Sequence, residues 1–125
     1  MMKRPSTYFP PRGLAWLLLL WFMAGCSAEE KPPRHILSED KMAAVLADIH
    51  VAEARVTRMR LSSLDSSVMV YNRLQQQIWK KHDVDTLAYR QSYEFYIANP
   101  GYMARIYEKV RTKIEAREKT NSIKI

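Results

Sequence analysis

Residues Leu14 to Met23 form an uncharged apolar run of ten, preceded by Lys3, Arg4 and Arg12 and followed by Ala24, Gly25 and Cys26. A helix rises about 1.5 Å per residue, so this run covers only about half of a ~30 Å hydrocarbon core. A basic start, a short apolar middle and a small-residue end predict a secretory signal peptide over residues 1–25. The competing readings are a spanning anchor and an ordinary secreted chain with a free thiol. Only the 100 residues after position 25 are then left to fold, the size of one small domain.

Met23-Ala24-Gly25-Cys26 resembles the lipobox of bacterial lipoproteins, with Met23 where leucine is usual. The resemblance implies cleavage before Cys26 and a diacylglycerol on its sulfur. One acyl chain anchors marginally, whereas two or three hold stably. Cys26 is the one cysteine of the chain, so a lipid there leaves no thiol for a disulfide.

Charge narrows the class. Removing Lys3, Arg4 and Arg12 from the 20 Lys and Arg leaves 17 against 13 Asp and Glu, a net +4 rather than +7. Much of the surplus lies between Lys109 and Lys124. That excess suits a solvated helix or loose attraction to anionic headgroups, and falls short of the basic face of a nucleic-acid binder.

Residues 26–37 contain Glu29, Glu30, Lys31, Pro32, Pro33 and Arg34 with little to bury, and are expected to form an extended tether from the lipidated cysteine. A helical domain is expected over 38–118. Ser38 is a natural N-cap for a first helix from about Glu39 to Arg60, with Met42, Val45, Leu46, Ile49, Ala52 and Val56 on one face. Leu61 to Ser67 reads as a turn, and a second helix to about Lys81 directs Val68, Tyr71, Leu74, Ile78 and Trp79 inward. Asp85 caps a third helix, Thr86 to Ala98, with Tyr89, Tyr93, Tyr96 and Ile97 inward. Asn99-Pro100 is a boundary, because proline disfavours helical geometry before it yet fits a first turn. A fourth helix to about Glu118 buries Met103, Ile106, Tyr107, Val110 and Ile114, and residues 119–125 are expected to fray. Without strand alternation, and with Gly101 the one glycine after the leader, the chain reads as all-α: a small bundle of about four amphipathic helices.

The stretches Ile36-Leu-Ser-Glu-Asp-Lys-Met, Leu46-Ala-Asp-Ile-His-Val-Ala-Glu53, Tyr71…Ile78-Trp-Lys-Lys-His82, Tyr89…Ser92-Tyr-Glu-Phe-Tyr96 and Asn99-Pro100…Ile106-Tyr107…Val110 together carry a resemblance. They are similar to the domain-of-unknown-function 4296 family over roughly Ile36 to Ile114. Trp79 and Tyr89 stand where phenylalanine is common, and Val51 where leucine is. The family consists of small lipoproteins of Bacteroidetes-type bacteria without an established activity. The resemblance implies a helical domain and an outer-membrane setting, Ser27 not being the aspartate of inner-membrane retention. Ser27-Ala-Glu-Glu30 is a thin version of a surface-display signal, which leaves the leaflet open.

Glu53 falls near the middle of the first helix's apolar stripe, with His50 toward its edge and Asp48 on the other flank. A carboxylate buried there must be bonded, paired or protonated. The expected arrangement is a structural polar network of Glu53 with His82 and the hydroxyls of Tyr71, Tyr93 and Tyr96. His82 could alternatively cap the second helix through its dipole. The competing reading is a metal-dependent or hydrolytic site of His50, Glu53 and His82, although a closed metal site needs three or four ligands. Ser62, Ser63, Ser66 and Ser67 suit a turn rather than a nucleophile. No cofactor, metal or catalytic residue is assigned. The expected protein is a lipid-anchored, non-catalytic envelope module that binds another envelope protein.

Overall fold

The computed structural model describes residues 29–122 and the isolated positions 2, 3, 11, 13 and 16. The expected leader cleavage and the lipidation of Cys26 lie outside the continuous described segment. Within residues 29–122 four helices follow one another: α1 (Glu39–Met59), α2 (Leu64–His82), α3 (Thr86–Ala98) and α4 (Pro100–Ser122). Among the described residues there is no strand, so the fold is a small all-α bundle.

Local chemistry sets the ends. Ser38 Oγ accepts from the Lys41 amide at 3.2 Å, and Glu39 and Asp40 occupy the electropositive first turn. Ser63 caps α2 in the same way, accepting from the Ser66 amide at 3.1 Å. α2 therefore begins within the expected turn, because Ser63 satisfies its first amides. Arg60 and Asp83 close α1 and α2 in the left-handed region, at φ 45° and 50°. Glycine usually takes this position, and neither helix end has one. Pro100 opens α4 directly after Asn99, and the helix continues to Ser122, through most of the stretch expected to fray.

α1 is the central element. Met42, Ala43, Leu46 and Ala47 pack with Tyr96 of α3 and Ile106 and Val110 of α4. Val45, Ile49 and Ala52 pack with Ile78 of α2 and Val84 of the following turn. Two different sides of α1 are thus covered, and its alanines let the neighbouring helices approach closely. Arg105 meets Glu39, Lys109 meets Asp40 and Arg117 meets Asp48, so α1 and α4 run parallel.

Three residues expected inward are exposed: Val68, Ile97 and Tyr107. Val68 lies near the start of α2. The short α3 covers chiefly the first part of α1, and its Ile97 turns outward.

The expected tether is a strap along the body. The Leu37 amide donates to Ser92 Oγ at 2.9 Å, and Tyr96 Oη donates to the Leu37 carbonyl at 2.6 Å. Ile36 and Leu37 pack against the first core cluster. Farther back, the Glu29 carboxylate takes a bidentate pair from Arg105, at 2.9 Å to each oxygen. A methyl group at Gly101 would overlap that carboxylate, so the absence of a side chain seats it.

Candidate functional site: a clasped aspartate beside an open trough

The buried carboxylate of α1 is Asp48, 8% exposed, and not Glu53. Its Oδ2 accepts from Lys81 Nζ at 2.9 Å and His82 Nε2 at 2.6 Å, both at the end of α2. Its Oδ1 meets Arg117 Nη1 of α4 at 2.6 Å. One carboxylate thereby joins three helices. Burial pushes its pKa up, but the bonds from Lys81, His82 and Arg117 outweigh it and hold the group at about 2. The group is therefore ionised at neutral pH and clasps the three helices through these bonds.

The expected network is placed differently by the fold. Glu53 is exposed, with its Oε2 3.1 Å from His50 Nδ1. It stands beyond the part of α1 that α3 covers, where a carboxylate keeps its water. Its charge still reaches the tyrosines: after burial, it helps raise the pKa of Tyr71 and Tyr107. Tyr89 is pushed up to about 12, first by burial and then by Tyr93, Tyr71, Tyr107 and Glu53. His82 is bonded to Asp48 instead of Glu53 or a dipole alone. Tyr96 bonds the strap, Tyr93 stacks on Tyr89 with ring centroids 6.0 Å apart, and Tyr71 packs in the second core cluster. Among the described residues no three His, Cys, Asp or Glu side chains gather to hold a metal, so His50, Glu53 and His82 do not form one centre.

Asp48 flanks the stripe that the helical period defines, so the period alone does not mark it as buried. A signal existed: it is the one polar residue in the run Met42 to Ile49. A run apolar on nearly every side of a helix is covered on more than one side. No comparable local signal marks Lys81, Arg117, or the seating of Glu29 on Gly101.

Beside the clasp, the second halves of α1 and α4 border a trough of about 870 Å³. Val51, Ala54, Met59 and Ile114 supply apolar lining, and Arg55 and Arg58 are among its cations. A smaller groove of about 190 Å³ lies on the α2 side of the same ridge and shares Val51 and Arg55. No described helix is long and apolar enough to cross a membrane.

No curated protein and no solved structure matches this chain. A family model does match, over residues 33–120, which takes in the end of the strap, the first three helices, all but the last two residues of α4, and the Asp48 clasp. By that match the chain belongs to the family described as domain of unknown function DUF4296.

Proposed function

We propose that residues 1–25 export the chain and that lipid on Cys26 anchors it to the cell envelope, at the outer membrane. The helical domain acts there by binding another envelope protein, without catalysis. The strap is the observation that favours this reading. Glu29 sits three residues after Cys26 and is held by Arg105, so an anchor at Cys26 would present the body in a defined orientation. A presented, rigid surface suits docking. The alternative enzyme of His50, Glu53 and His82 has less support, since His82 is engaged by Asp48 and the other two form a surface pair.

Palmitate labelling in cells tests the anchor. The natural chain is expected to take the label and Cys26→Ser to lose it; an unmodified thiol with the leader still attached would refute the anchoring. Assays of purified protein for metal-dependent or hydrolytic turnover test the rest, and turnover abolished by His50→Ala would overturn the non-catalytic reading.

A further inference from the structure

We propose that the trough between the second halves of α1 and α4 receives an acidic amphipathic helix of a partner protein. This deepens the interaction-module reading and rests on it. The argument starts from charge. In the first half of the same α1–α4 seam, Arg105 and Lys109 are satisfied by Glu29, Glu39 and Asp40. Past Asp48, Arg55 and Arg58 border the trough and make no ion pair with a described residue, while Glu118 in the same lining is already engaged. Two guanidinium groups at an apolar floor suit carboxylates that arrive with apolar side chains, because each group offers a planar fork to one carboxylate.

The shape agrees. From His50 to Met59 the α1 wall is about 15 Å long, room for roughly three turns of a docked helix. Val51 and Met59, 42% and 46% exposed, offer apolar contacts along it, as in helix-in-groove recognition. A second copy is disfavoured, because a two-fold contact would offer the two guanidinium groups only the Glu118 of the same lining, which already has a partner. The anchored bilayer is disfavoured as well. Cys26 lies at most about 11 Å of chain from Glu29, which docks at the opposite end of the seam.

Photo-cross-linking in cells, on the full-length chain, decides the matter. A photoreactive residue replaces Val51 or Met59 in turn, with Leu87 on α3 as the comparison position. The expected result is one protein captured from Val51 and Met59 but not from Leu87, with the linked peptide mapping to a helix rich in Asp and Glu. Arg55→Glu combined with Arg58→Glu should lower that yield about tenfold without changing the melting temperature. Links to a second copy, to lipid, to residues 123–125 of the same chain, or to a basic or non-helical segment each overturn the proposal. Capture from Leu87 alone refutes the trough and leaves the interaction module standing; capture from no position refutes both.

Discussion

At its first turns α1 meets α4 through Glu39 and Asp40 against Arg105 and Lys109, with Glu29 of the strap completing the set. Past Asp48 the same two helices carry Arg55 and Arg58 with no described acid paired to them. The first region is closed by its own chain: carboxylates, a strap and Gly101 fit together. The second keeps exposed apolar side chains and, among the described residues, two cations without an acid partner. Both belong to one parallel helix pair, so the contrast arises from which acids the chain supplies along it. The Asp48 clasp marks the border, fixing α1, α2 and α4 against one another before the seam opens.

Removing the clasp should have the largest effect. Asp48→Ala strands Lys81, His82 and Arg117, and is expected to cost about 2–4 kcal/mol in chemical denaturation. The range stops short of the fully buried case because Lys81 and Arg117 reach solvent. A loss below about 1 kcal/mol would mean that the border is held by apolar packing alone.

Acid should reproduce part of that loss. The folded pKa of about 2 lies below the unfolded value of 3.8. A depressed carboxylate stabilises the fold above the unfolded value, and that stability disappears as pH falls from about 4 toward 2. The shift corresponds to about 2 kcal/mol. Asp48→Asn should flatten this portion of a stability-versus-pH curve, and an unchanged curve would assign the acid sensitivity elsewhere.

Gly101→Ala probes the closed region without breaking the bundle. A side chain there displaces the Glu29 carboxylate, while alanine favours a helix over glycine by up to ~1 kcal/mol. The melting temperature should hold or rise as hydrogen exchange accelerates at residues 29–36. Unchanged exchange would show that the strap does not need the Glu29 seat.

The open region should be the least sensitive. Glu53→Ala, like the double reversal of Arg55 and Arg58, is expected to shift stability by less than about 0.5 kcal/mol, as for surface positions generally. A loss above about 1 kcal/mol for Glu53→Ala would return it to a structural network.

The sequence by itself determined the elements. Ser38 and Asn99-Pro100 mark helix boundaries because capping and proline geometry act within a few residues, and Asp85 stands at the N-cap position of α3 without a side-chain capping bond. The three- and four-residue steps that bury Met42, Leu46 and Ile49 follow from the helical period, and the scarcity of glycine pointed away from hairpins. Tertiary structure alone decided which carboxylate of α1 is buried. The helical period tells which residues share a face, but not how many sides the neighbours cover or where that cover stops. α2 and α4 widen the buried arc to include Asp48, and the cover ends before Glu53. The strap was hidden for the same reason: its partners Ser92, Tyr96 and Arg105 lie more than fifty residues away in sequence, and only folding brings them to Leu37 and Glu29.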